Sequence, residues 1–91
     1  MERQSFLIPP FTCEIDGIPV TVLEILKRKI VSGDTWYLAV VTIDYKGIKS
    51  RRYTIPVKSE EDLINKLKIE ITKIKFIDYG YGIEEVKRLI T

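Results

Sequence analysis

Trp36-Tyr-Leu-Ala-Val-Val-Thr-Ile-Asp-Tyr45 is aromatic and β-branched almost throughout, a composition that fits a pleated, half-buried surface and marks a central strand. Lys46-Gly47 follows it and suits a two-residue turn with glycine at a positive φ. Ile48 to Val57 then returns as a fourth strand, and Pro56 places its end at an edge. Toward the N-terminus, Ser32-Gly33-Asp34-Thr35 is a turn, preceded by a strand from about Ile18 to Val31 with Pro19 at its start or on an edge. Asp16-Gly17 is a tight-hairpin signal, and Phe11-Thr-Cys-Glu-Ile15 before it alternates apolar with polar. Pro9-Pro10 closes an extended entry over residues 1–10. Four strands joined by short turns make an antiparallel meander.

Beyond Val57 the period changes. Ser59-Glu60-Glu61-Asp62 reads as an N-cap followed by acids suited to the positive end of a helix dipole. Leu63, Ile64, Leu67, Ile71 and Ile74 recur at three- and four-residue spacing, the apolar face of a helix. The Ile- and Thr-rich tail 69–77 admits either helix or a short strand, and a helix continuous to about Phe76 is the preferred reading. Asp78-Tyr-Gly-Tyr-Gly82 is expected to break it, because glycine inside a helix is costly. Ile83 to Ile90 forms a short terminal helix with Ile83, Val86, Leu89 and Ile90 on one side. The expected fold is α+β: a four-stranded antiparallel meander followed by one long and one short C-terminal helix packed on one sheet face, in a single domain over residues 1–91.

Composition narrows the chemistry. The chain has 91 residues and no histidine, which excludes His-based triads, His metal ligands and a His pH switch. One cysteine, Cys13, excludes internal disulfides and Cys-cluster zinc sites; it reads as a small buried apolar residue. No apolar run is long enough to span a membrane, and the opening stretch is too short for a secretory signal, so a cytoplasmic protein is expected. One Asn and one Gln beside ten Lys and fifteen Ile is a composition typical of hyperthermophile proteins. The acids Glu14, Asp16, Asp34, Asp44 and Glu60–Asp62 are scattered over turns and a helix cap. No spacing pairs them for acid–base work or a metal, so neither an enzyme nor a bound metal or cofactor is expected.

With Tyr45 paired to Ile48, one sheet face carries Trp36–Val57, Leu38–Ile55, Val40–Tyr53, Thr42–Arg51 and Asp44–Lys49. The Trp36 end of that face is apolar enough to receive the long helix, with Trp36 as a core anchor. The other face then carries Tyr37, Ala39, Val41, Ile43 and Tyr45 beside Ile48, Ser50, Arg52 and Thr54. Lys27 and Lys29 join it if the second strand aligns through a three-residue turn; a slip by one residue sends both lysines to the helix side.

The net charge is only +2, so a polyanion site depends on how charge is distributed. Lys27-Arg28-Lys29 and the Lys46, Lys49, Arg51, Arg52 group lie on strands that both flank the third, which places them on neighbouring parts of one sheet. Basic residues among aromatics suit phosphate contacts plus stacking. Lysines on exposed strands also serve simply to block edge-to-edge pairing. Asp78-Tyr-Gly-Tyr-Gly82 is either an aromatic recognition loop or, the simpler reading, a helix C-cap with tyrosines folded back on the core.

The stretch Gly33-Asp-Thr-Trp-Tyr-Leu-Ala-Val-Val, with Tyr45-Lys-Gly-Ile-Lys-Ser-Arg-Arg-Tyr and Val57-Lys-Ser-Glu-Glu-Asp-Leu, resembles a known module. It is similar over about residues 33–69 to the three-stranded-sheet-plus-helix DNA-binding domains of tyrosine-recombinase arm-binding and plant AP2 type. The resemblance implies DNA read by the sheet in the major groove. The function expected is therefore a small nucleic-acid-binding protein, DNA favoured over RNA. Lys27, Lys29, Lys46, Lys49, Arg51 and Arg52 would contact phosphates, while Tyr37 and Tyr45 stack. The alternative is a protein-interaction module, a homodimer, because Ala39, Val41, Ile43 and Ile48 form an apolar strip with no evident helix to cover it.

Overall fold

Two tight turns set the meander. Asp16-Gly17 (φ 53° and 81°) and Lys46-Gly47 (φ 50° and 86°) both place two successive residues at positive φ, whose twist matches that of the flanking strands. The computed structural model describes residues 8–29 and 31–91. In chain order the elements are β1 (Phe11–Ile15), β2 (Ile18–Lys29), β3 (Thr35–Tyr45), β4 (Ile48–Lys49), β5 (Tyr53–Val57), α1 (Glu60–Tyr81) and α2 (Ile83–Ile90). The architecture is α+β, an antiparallel sheet in the order β1-β2-β3-β4 with β5 also paired to β3. The expected strand to Val31 ends at Lys29; Ile30 lies outside the described residues.

The expected fourth strand is two strands, because the chain leaves the ladder between them. Ser50 donates its N–H to Ile43 O at 2.8 Å. The reciprocal bond goes to the side chain: Ile43 N–H donates to Ser50 Oγ at 2.8 Å, and the hydroxyl donates to Arg51 O at 2.7 Å. With its own carbonyl released from the ladder, the chain detours and sends Arg51 N–H to Ile90 O at 2.7 Å. Pairing resumes one residue out of step. Asp44↔Lys49 and Tyr45↔Ile48 hold as expected, but Tyr53 now faces Val41, Ile55 faces Ala39 and Val57 faces Tyr37.

That single slip moves the apolar row of β5 to the opposite side of the sheet. Tyr53, Ile55 and Val57 join Tyr37, Ala39, Val41, Ile43 and Tyr45, and β2 adds Val20 and Val22 while β1 adds Phe11, Cys13 and Ile15. The core lies on this side, filled by Leu63, Leu67, Ile71 and Ile74 of α1 and Val86 and Ile90 of α2. The expected assignment of faces is therefore reversed. The Ala39–Val41–Ile43 strip is not an open surface; all three residues are buried in the core with the helices. Trp36 is not a core anchor. It lies in the outer row with Leu38 and Val40, its ring flanked by Lys58 at 4.8 Å and Lys66 at 5.8 Å. Within the periodic stripe of α1, Ile64 is the one member left at the surface.

Ser59 caps α1, its Oγ accepting the Asp62 N–H at 3.1 Å while the Asp62 carboxylate accepts the Lys58 N–H at 2.9 Å. The helix is continuous through 69–77 and runs past the expected break to Tyr81, with Gly80 inside it. Anchoring explains the overrun: Lys75 Nζ donates to Asp16 O at 3.2 Å, and Asp78 is held by Tyr45 and Lys46. Those ties offset the roughly 1 kcal/mol that glycine costs relative to alanine in a helix. Tyr79 and Tyr81 consequently project into solvent rather than folding back. Gly82, at φ 96°, ends α1 and starts α2 in a conformation that side chains disfavour.

Because Ser50 Oγ satisfies a buried N–H, Ser50→Ala is expected to lower unfolding stability by about 1–3 kcal/mol in urea titrations. Thr54→Ala, an exposed change on β5, stays within about 0.5 kcal/mol. Equal losses at the two positions would contradict the role assigned to Ser50.

Candidate interaction surfaces

Both proposed stacking tyrosines sit in the inner row. Tyr45 is only 3% exposed, and its hydroxyl donates to Asp78 Oδ2 at 2.7 Å. Lys46 Nζ reaches the same oxygen at 2.8 Å. Burial, then the hydrogen bond to Asp78, pushes the Tyr45 phenol up to about 12. The hydrogen bonds from Lys46 and Tyr45 hold the Asp78 carboxyl below its usual range. Tyr37 is half-buried against the core opposite Val57. The Tyr45 ring is therefore closed to stacking on a ligand, and Tyr37 keeps part of its surface exposed.

The six basic residues divide by what they touch. Lys46 is engaged by Asp78. Arg51 closes the C-terminal end of α2: its Nη1 donates to Leu89 O at 2.8 Å, satisfying a carbonyl of the last turn, and its guanidinium lies 4.8 Å from the Tyr53 ring. Lys27, Lys29, Lys49 and Arg52 are exposed. Lys27 pairs with Tyr37 and Lys29 with Thr35, reached with a bulge between Val22 and Glu24, so both share the Tyr37 row as expected; that row is the helix side of the sheet and not the open one, whereas Lys49 lies in the opposite row. Lys49 pairs with Asp44. Tyr37 and Asp44 are seven residues apart on β3, so the two clusters sit about 24 Å from one another at ~3.4 Å per residue. Lys27 and Lys49 thus lie toward opposite ends of β3.

What the sheet turns away from the helices is an apolar centre between polar ends. Leu26 pairs with Leu38 in the middle, with Trp36 and Val40 on either side along β3 and Pro56 beside Leu38 on β5. All but Pro56 are half-buried, and among the described residues no helix lies over them. Arg28 stands opposite Trp36 at one end, and Glu24 stands opposite Val40 toward the other. Thr12 and Thr21 bond across the β1–β2 border of this face at 3.1 Å. Sequence reasoning missed this surface because it assigned the helix to the Trp36 row. It also missed Ser50 and Asp78, whose contacts come from chain segments 7 and 33 residues away.

Among the described residues no three His, Cys, Asp or Glu side chains gather as a metal site, and no helix is long and apolar enough to cross a membrane. Burial, then the Glu60 charge, raises the Cys13 thiol above its ordinary value, so it is held as the unreactive thiol. Comparison with family models, curated proteins and solved structures yields no match.

The Asp78 cluster fixes two pH arms. A carboxyl lowered by folding adds stability that is present above the unfolded value, about 3.9, and is lost as pH falls through the folded one. A phenol raised by folding adds stability that is present below about 10 and is lost as pH climbs toward about 12. Thermal unfolding of wild type and Asp78→Asn should therefore show a Tm gap that narrows as pH drops from about 5 to about 2. A gap independent of pH would contradict this account of the cluster.

Proposed function

We propose that the protein is a non-enzymatic protein-interaction module whose outer sheet face packs against a second copy of itself. The observation that carries this reading is the order Glu24, Leu26, Arg28 along β2, opposite Val40, Leu38 and Trp36 of β3. A twofold axis through the Leu26–Leu38 row, perpendicular to the strands, lays each strand antiparallel over its own counterpart. Leu38 then meets Leu38, Trp36 meets Val40, and Arg28 meets Glu24 of the other copy. The patch thus pairs apolar residues with apolar residues and Arg28 with Glu24 across the axis, as an isologous interface requires. Two sheets packed this way bury their facing apolar rows at about 10 Å separation.

Sedimentation equilibrium tests the proposal. Wild type should dimerise, Leu38→Glu should be monomeric, and Arg28→Glu should weaken association by roughly tenfold or more. Combining Arg28→Glu with Glu24→Arg should restore it. A monomeric wild type, or a Leu38→Glu variant that still dimerises, overturns the reading.

A second reading is favoured by the exposure of Lys27, Arg28 and Lys29 in succession at one end of β2, none of them ion-paired among the described residues. Nucleic acid contacted through phosphates would use this arm, without stacking by Tyr37 or Tyr45. Gel-shift titrations of duplex DNA should then show binding that falls steeply with salt and is lost in Lys27→Glu/Lys29→Glu. No shift at low salt removes this reading.

A further inference from the structure

Among the described residues β5 pairs with β3 alone, on one side. Beside its other edge runs a groove of about 340 Å³, lined by Tyr53, Ile55 and Pro56 of the strand and Lys66, Ile69 and Glu70 of α1. Pro56 has no N–H to give the ladder, and its carbonyl accepts from Lys66 Nζ at 2.6 Å, so its polar backbone faces this outer edge. Thr54, two residues earlier, turns its N–H and C=O the same way. Ile69, at 55% exposed, forms an apolar wall above them. Arg52 marks the upstream end, exposed and outside any ion pair among the described residues.

We infer that this groove binds an extended peptide as an added strand antiparallel to β5. The central peptide residue exchanges both main-chain hydrogen bonds with Thr54, as strand-addition sites do. Strand alternation then points the two residues flanking it into the groove, against Ile55 and Tyr53 beneath Ile69, so both must be apolar. An antiparallel peptide ends near Arg52, where an acidic residue complements the unpaired guanidinium. The recognised chemistry is apolar–any–apolar–acid in extended conformation. Lys66 at Pro56 and the proline itself guard the remaining edge, which limits pairing to a short segment.

The probe is the capped peptide acetyl-Thr-Val-Thr-Val-Asp-amide, followed by amide chemical shifts of the full-length protein. Shifts should concentrate at Thr54, Ile55 and Ile69. Methylating the nitrogen of the central threonine removes one ladder bond and should weaken binding about tenfold or more, as should replacing the peptide Asp with Lys. Ile69→Glu, a change at an exposed helical position, should weaken binding comparably while leaving the spectrum folded. Absence of shifts at about 1 mM peptide, the weak end of specific affinity, overturns the inference. So does equal binding by the methylated peptide, which would mean that the main chain of β5 is not the receptor. The receptor here is the main chain of β5 and the dimer contact is the side-chain face of β2 and β3, so peptide binding and self-association are read by separate measurements.

Discussion

The exchange between Ile43 and Ser50 determines the rest of the structure. In an unbroken ladder Ile43 would take the Ser50 carbonyl as acceptor; here it takes the Ser50 hydroxyl instead. That substitution lets residues 50–52 leave the sheet and rejoin one position late, with no buried side-chain polar group unpartnered among the described residues. Strand pairing has a side-chain period of two, so one residue of offset exchanges the two faces of β5 completely. The helices follow the apolar rows. α1 and α2 cover Ala39, Val41 and Ile43, and the Trp36 row is left outward.

Most of the element order was legible in the sequence, because strong local chemistry wrote it. Positive-φ pairs at Asp16-Gly17 and Lys46-Gly47, the Ser59 cap and the spacing of Leu63, Leu67, Ile71 and Ile74 are each contained within a few residues. The helical face was not legible, since β3 is apolar on both sides and only its partners decide which side is core. A regular fourth strand places Tyr53, Ile55 and Val57 in the Trp36 row and makes that end the apolar one; the detour at Ser50 reverses that, and a single serine carries no such signal. The overrun of α1 to Tyr81 had the same origin. Asp78 is held from the sheet by Tyr45 and Lys46, residues distant in the chain, and that anchoring outweighs the local preference of the glycines.

The same contacts reassign the basic residues. Lys46 and Arg51 serve the fold, one tying α1 to the β3–β4 turn and the other closing α2. The charges left exposed are divided between the two ends of β3, whereas Leu26, Trp36, Leu38 and Val40 gather in its outward middle. The proposed pairing of two copies rests on that arrangement, an apolar centre with opposite charges at either end. The outer edge of β5, unpaired among the described residues, borders that surface and offers main-chain groups instead.

Methyl relaxation by a soluble paramagnetic probe, followed as protein concentration rises, tests most directly which side of the sheet is free and what covers it. Dilute protein should show strong broadening at Leu26, Leu38 and Val40 and little at Ala39, Val41 or Ile43. Concentrated protein should show the first three become shielded while Ile64 and Ile69 stay accessible. Broadening of Ala39 and Val41 in dilute protein would contradict the assignment of faces, and lasting accessibility of Leu38 at every concentration would contradict the pairing of two copies.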